Sequence, residues 1–473
     1  MNDLVFNKKR KIVDFSNPCD NKKKGDEKVK YNFPENLYTD VRIEKRKSAY
    51  FALEDEDVKT NSEVEVVSAI IRVFDGKLWY TGQTSNVENI QKEIDNLATL
   101  AKPNPSIYKN KIVKNLGDCK SSVLLFSGDK DLRKLTAEDR EKIVRYYYNA
   151  CYDKSIKEIK STGVFFEYNY LEKSFYSSKG AEIVQDYQRC HLVAGFDANV
   201  NGVTYPIFKQ LYDFEFDKLW NRENEILEER DRCLDFAKNA VDVVPGEYVC
   251  VLAPTVTAVF THESFGHKSE SDFMLSDKTL QDEWTMGKKV AFDKVTIVDE
   301  GDSLYHGYCP YDDEGNKKQK VYLIKGGILS GRLHDAKSAA TLKEKPTGNA
   351  RAQNTSFSPI VRMTNTYMEA GTENPEDIIK GVKEGIYVHD WNYGTGLSTF
   401  TIQPRTCYKI QDGKLAEPLR VNVITGNVFK TLFDIDAVGN DLKFDSGICG
   451  KSDQNLPTAI GGPTIRVKKL TVN

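Results

Sequence analysis

His262 and His267, two of the six histidines in the chain, stand five residues apart in the stretch THESFGHKSESD, with Glu263 directly after the first. These are the parts of a metal-assisted hydrolytic site. Imidazole nitrogens hold a divalent ion, the ion lowers the pKa of a bound water, and a carboxylate takes the water's proton. The spacing is one residue longer than in the usual zinc-protease helix. Residues four apart lie about 40° round an α-helix and converge, whereas residues five apart lie about 140° round it and diverge. One inserted residue, a π-bulge, restores a shared face because about 4.4 residues then make the local turn. Alternatively, Gly266 lets the chain leave the helix so that His267 swings back. A third ligand must come from elsewhere, and cysteines, the remaining histidines and acids are all candidates. The plain alternative is a capped, partly buried helix with surface histidines, and the local sequence does not separate the two.

The elements that would position this segment can be read from periodicity. VVPGEYVCVLAP reads as a strand, and Pro254 fits the first turn of a helix that VTAVFTHESFGH continues, so both histidines follow the end of a strand. Further on, KVTIVDEG, QKVYLIKGGILSGRL, FTIQPRTCYKIQDGKL and RVNVITGN are strand-like runs separated by glycine turns. In the first half, YTDVRIEKRKSAYFAL and SAIIRVFDGKLWYTG alternate like half-buried strands, with a DG turn in the second. A helix over 86–102 puts Ile90, Ile94, Leu97 and Leu100 on one stripe. A second, over 136–160, opens with Thr136 and Asp139 as an acidic capping box. GVFFEYNYLEKSFYSSKGAEIVQDYQRCHLVAGFDANVNG reads as a hairpin around SKG, and a long charged helix covers roughly 216–241. The expectation is α+β in two domains. A lysine-rich mobile arm spans 1–36, a mixed strand and helix domain 37–240, and a sheet-rich domain carrying the H-E-x-x-x-H helix 241–473.

Bulk composition narrows the function classes. The 67 basic and 70 acidic residues nearly cancel to -3, so no global field draws the chain to nucleic acid or an anionic membrane. The KKRK and NKKKGDEK runs before residue 31 leave a localisation or nucleic-acid tail as an alternative for that segment alone. Neither a signal-peptide h-region nor a membrane-length apolar run is present, and nine cysteines without repeated spacing fit a reducing compartment; a cytoplasmic protein is expected. His306 beside Cys309, the isolated His191, His334 and His389, and the acidic turn Asp312-Asp313-Glu314 read as structural or solvated.

The closing segment VGNDLKFDSGICGKSDQNLPTAIGGPTIRVKKLTV, with its GNDL, CGK and PT-x-R-V-x-x-L-T-V words, resembles the end of the TldD/PmbA peptidases, once labelled modulators of DNA gyrase. HESFGH, YDDEG, PTGNAR and RMTNTYM, together with YTDVRIE and IIRVFDGKLWYTG, follow in the same order as similar words of that family. The likeness runs from about Leu37 to the end. It implies a zinc (Zn2+) peptidase of the metal-bearing TldD-like branch, with His262, His267 and Cys449 as ligands and Glu263 as catalytic base. It also implies a peptide substrate, and a partner that is a second copy of the chain or a metal-free PmbA-like subunit. Lys268 and Ser271 stand where the family commonly has glycine, although Glu270 and Asp272 are kept. NYGTGLSTFTIQPRTCYKI lacks the family's GG-x-V-D word and the acidic residue before Tyr, with Thr406 and Cys407 in their place, so the resemblance does not carry over a peptide preference. Two other classes remain as alternatives: a non-catalytic zinc-containing partner or binding subunit, and a DNA-associated regulator.

Overall fold

The computed structural model describes residues 31–473. The lysine-rich runs expected to form a mobile arm therefore lie outside the described residues, up to Lys30. Tyr31 and Phe33 pack beside Ile43 and Tyr80, and the Asn32 amide donates to the Gln91 side chain.

All seven strands of the first sheet come from before residue 214. Its centre is the antiparallel set Asp57–Phe74, Tyr38–Glu54, Ile159–Ser177 and Glu182–Val200, flanked by Trp79–Thr84, Lys120–Val123 and Val203–Asp213. The DG turn forms as read, with Gly76 at φ +98° and Asp75 Oδ1 accepting from the amides of Lys77 and Leu78. The helix Ile90–Leu100 buries Ile90, Ile94 and Leu97, but Leu100 is exposed at the helix end. The Thr136/Asp139 capping box is present on the helix Ala137–Cys151. That helix stops at Cys151, nine residues short of Lys160; Tyr152 takes an extended backbone, and the strand of the hairpin begins at Ile159. The charged helix also starts later than its polarity suggests, at Glu223. Residues 216–219 form a short 3-10 turn, and Asn221 takes a left-handed φ of 58° before the α-helix Glu223–Asn239. The helices 137–151 and 223–239 bury Ile143, Val144, Tyr147, Ile226 and Leu234 against Phe166, Leu192 and Ala194 of the sheet, so alternate residues of these strands face the helices.

Strands after residue 240 build two further principal sheets. A six-stranded sheet runs in the order 328–329, 321–325, 297–300, 365–368, 454–462, 443–451, which leaves Lys443–Lys451 at its edge. An eight-stranded sheet includes Glu384–Gly396, Gly246–Leu252, Ile465–Val472 and Thr399–Gln411. The helix Pro254–Thr261 lies between them, against strands 384–396, 443–451 and 454–462. Val256 through Thr261 are all buried, which holds the following residues firmly between two sheets. The mixed architecture of strand and helix matches the expectation from periodicity. No helix among the described residues is long and apolar enough to cross a membrane.

Candidate metal centre

The helix that starts at Pro254 does not end at its first histidine. Residues His262–Gly266 continue as one π-turn, and His267–Ser269 follow as a 3-10 turn. The wider turn absorbs the extra residue and brings the two imidazoles to the same side, with ring centroids 5.0 Å apart. Gly266 takes no part through backbone freedom, since its φ of −56° and ψ of −57° are ordinary helical values. What it supplies is space: a β-carbon there would overlap the sulfur of buried Met363.

Cys449 arrives from the edge strand 443–451. Its sulfur lies 3.3 Å from Nε2 of His267, and the donor atoms of His262, His267 and Cys449 lie within 4.8 Å of one another. His262 and Cys449 are buried and His267 is nearly so. Burial alone would push the Cys449 thiol up, but the His262 and His267 imidazoles beside it bring it down to about 4. The Nδ1 edge of His267 is 3.0 Å from Oε2 of Glu270. That carboxyl is fully buried, yet Lys451, ahead of His267 itself, holds it down at about 2.

These protonation states decide what the three residues can hold. Burial would lower the His267 ring, but ionised Glu270 on Nδ1 and the Cys449 sulfur on Nε2 raise it well above its ordinary value, so in the metal-free chain a proton lies between Nε2 and the sulfur, where a bound cation would take its place. A thiolate facing a lone pair at 3.3 Å is repulsive unless a proton or a cation lies between them. The separation suits a metal. Tetrahedral zinc with ordinary Zn–S and Zn–N bonds sets sulfur and nitrogen about 3.6 Å apart. The Nδ1 atom of His262 is also buried with no hydrogen-bond partner among the described residues, a cost offset only by coordination through that nitrogen itself. Among the described residues, no other group of three histidines, cysteines or acids has its donor atoms gathered this closely.

Glu263 is largely buried. Burial pushes its carboxyl above the usual range, and His262 and His267 offset part of that rise. Strand 384–396 crosses it closely: a β-carbon on Gly394 would come within 3.3 Å of Glu263 Cγ and 2.7 Å of Val259 Cγ2. Lys268, where glycine was the expectation from the family likeness, is buried and pairs with Glu283 at 2.7 Å.

The other sequence candidates fall elsewhere. His334 is a satisfied core residue between Ser271, Ser338 and Glu344. His191 is not isolated, because its ring lies 5.3 Å from that of buried His306, on the far side of the first sheet from the helices. The acidic turn is not solvated. Asp312, Asp313 and Glu314 are all buried, with Asp313 2.6 Å from Lys173 of the first sheet. The sequence reading missed Arg362 and Lys451 as neighbours of the site. Both lie in words quoted for the family likeness, Arg362 in RMTNTYM and Lys451 in CGK, and Lys451 stands two residues after Cys449 on a strand and so on the same face.

Comparison with known proteins gives the family. Residues 245–473 match the PmbA/TldA metallopeptidase C-terminal domain, and residues 39–101 match domain 1 of the same group. A zinc metalloprotease TldD homolog of Saccharolobus solfataricus is 32% identical over 321 residues, covering 66% of this chain and 71% of that one. The chain belongs to the PmbA/TldD family. A metalloprotease of Synechocystis is 40% identical over 229 residues, and there the alignment spans 48% of this chain and 50% of the relative. TldE from Thermococcus kodakarensis has the same fold, with a TM-score of 0.69 at 16% identity over 92% of this PmbA/TldD chain and 96% of that one.

Proposed function

We propose that this chain is a zinc-dependent peptidase of the PmbA/TldD family, that residues 241–473 form its catalytic unit, and that its substrate is an unfolded peptide or peptide precursor. The observation that carries the reading is the approach of Cys449 Sγ to His267 Nε2, with His262 in the same buried cluster. His262, His267 and Cys449 would hold the ion, which when bound supplies Lewis acidity toward the peptide carbonyl and toward water. Glu263 is the general base. Its carboxylate takes a proton from the attacking water and delivers it to the leaving amine nitrogen. A carboxyl raised by burial is a better proton acceptor than an exposed carboxylate, which suits the first half of that task. Glu270 keeps the proton on Nδ1 of His267, so the opposite nitrogen stays a ligand. The family assignment further supports a partner subunit, either a second copy or a metal-free PmbA-like chain.

The test pairs metal analysis with cleavage of an unstructured fluorogenic peptide. Cys449→Ala is expected to lose zinc and activity together, whereas Glu263→Ala keeps its zinc and loses turnover. Wild-type cleavage by purified Glu263→Ala protein would remove the general-base role, and a metal-free wild type would remove the zinc reading.

A further inference from the structure

Two buried cations stand behind the metal centre without touching a ligand side chain. Arg362 has a fully buried side chain. Its Nη2 donates to the backbone carbonyl of Cys449, its Nη1 to that of Gln454 at 3.0 Å, and its Nε faces Oε1 of Glu270 at 4.0 Å. Residues 449 and 454 are on the two strands of one hairpin. Its turn residues Ser452 and Asp453 both take positive φ, the geometry of a tight type I′ turn. The guanidinium fork therefore spans the base of the hairpin that presents Cys449. The second cation, Lys451, lies 3.1 Å from Oε2 of Glu270, 2.7 Å from Asp272 and 2.9 Å from the Val361 carbonyl.

The two routes meet at Glu270. That carboxylate accepts from His267 through Oε2 and from the Met363 amide through Oε1, so it fixes the ring and belongs to the loop beside Arg362. An ionised carboxylate with no exposed surface is costly unless cations face it, and here the facing cations are tied to the backbone or the strand of Cys449. The histidine turn and the cysteine hairpin, separated by 182 residues in sequence, are thus held in one frame. Resting on the metal reading above, we infer that Arg362 and Lys451 are positioning residues. They set the spacing between Cys449 and His267, Arg362 by its planar fork on the hairpin and Lys451 by its charge on Glu270. The demands on them differ. A lysine at 362 keeps the charge but cannot span two carbonyls, whereas methionine at 451 keeps the bulk and loses the charge.

The experiment loads metal-free protein with Co2+ and follows the thiolate-to-cobalt charge-transfer absorption, alongside Zn2+ affinity from competition with a chromophoric chelator. Thermal unfolding of the metal-free proteins is measured separately. Arg362→Lys and Lys451→Met are each expected to weaken Zn2+ binding roughly 10- to 100-fold and to lower or shift the charge-transfer band. Lys451→Arg restores most of both. A purely structural role would lower the metal-free melting temperature while leaving affinity and spectrum unchanged, and that result overturns the inference. Should Arg362→Lys not fold, Lys451→Met carries the same test, and failure of both to fold assigns them to the scaffold and likewise overturns it. A wild type without any thiolate-to-cobalt band instead sinks the metal reading itself.

Discussion

The ammonium of Lys173, in the first sheet, lies 2.6 Å from Oδ1 of Asp313, in a loop of the second half of the chain, and both side chains are buried. Arg42 reaches the other oxygen at 3.4 Å, and the Ala352 amide donates to it. This joins the first sheet to the loop network around residues 312–316 and 350–352, which also includes Asp312 accepting from the Ala350 amide.

Removing one partner of such a pair strands the other. Asp313→Ala leaves Lys173 buried without its counter-charge, while Arg42 keeps Glu44 at 3.2 Å, and is expected to cost about 3–5 kcal/mol in chemical denaturation. The pH dependence follows from the sign of the shift. Burial would raise Asp313, but Lys173 and then Arg42 hold it down at about 2 in the folded chain, against about 3.9 when unfolded. Its contribution is therefore complete above the unfolded value and is lost as pH falls through the folded one. Asp313→Asn should flatten the wild-type loss of stability in that acid window. An unchanged acid profile would show that the pair contributes nothing.

Those partners explain why the acidic turn was misread from sequence. Three consecutive acids before a glycine look solvated, and nothing near residue 313 announces Lys173 or Arg42, which are brought there only by sheet packing across the two halves. The histidine segment was more legible, because a spacing of five has few geometric solutions and the π-turn was one of them. The role of Gly266 was not legible, since the reason for it is Met363, nearly a hundred residues away. Strand alternation and capping marked the elements of the first sheet, yet the ends of the helices at Cys151 and Glu223 fall where an extended Tyr152 and a left-handed Asn221 intervene. Cys449 came from family likeness alone. Its approach to His267 depends on the pairing of the edge strand 443–451 with 454–462, a long-range register that no local pattern displays.

Metal-free protein should carry a reactive thiolate. With its thiol at about 4, Cys449 is ionised across the neutral range, so alkylation by iodoacetamide is expected to be nearly independent of pH there, unlike an ordinary thiol with a pKa of about 8.5. Cys151, Cys233 and Cys250, pushed up to about 12 by burial, should stay unlabelled in the folded chain. Zn2+ should protect Cys449. Peptide mapping after labelling reads the result, and equal labelling with and without the ion would count against coordination by this sulfur.

Gly266→Ala tests the packing behind the π-turn. The backbone there is ordinary, so the cost comes from the new methyl against Met363, about 1–3 kcal/mol of overpacking. Because the Met363 amide holds Glu270, its displacement should also reduce zinc content. Combining it with Met363→Ala makes room for the methyl, so the double variant should be more stable than the sum of the single losses predicts. Strict additivity in thermal unfolding would show that the two positions do not meet.

Gly394→Ala asks whether the placement of Glu263, apart from its chemistry, sets the rate. The added carbon would come 2.7 Å from Val259 Cγ2 and 3.3 Å from Glu263 Cγ, and both distances are shorter than ordinary contact. Glu263 is confined by burial, so relief comes by shifting its side chain or the crossing strand. A displacement approaching an ångström at a proton-transfer group costs on the order of 10²-fold in rate. The expected signature is a fall in kcat with zinc content and the Co2+ spectrum unchanged, because neither His262 nor Cys449 touches Gly394 among its nearest neighbours. Val259→Ala in the same chain opens the space beside the new methyl and should restore part of the rate. Retention of wild-type kcat by Gly394→Ala would mean that the strand yields freely and that Glu263 is not held by it.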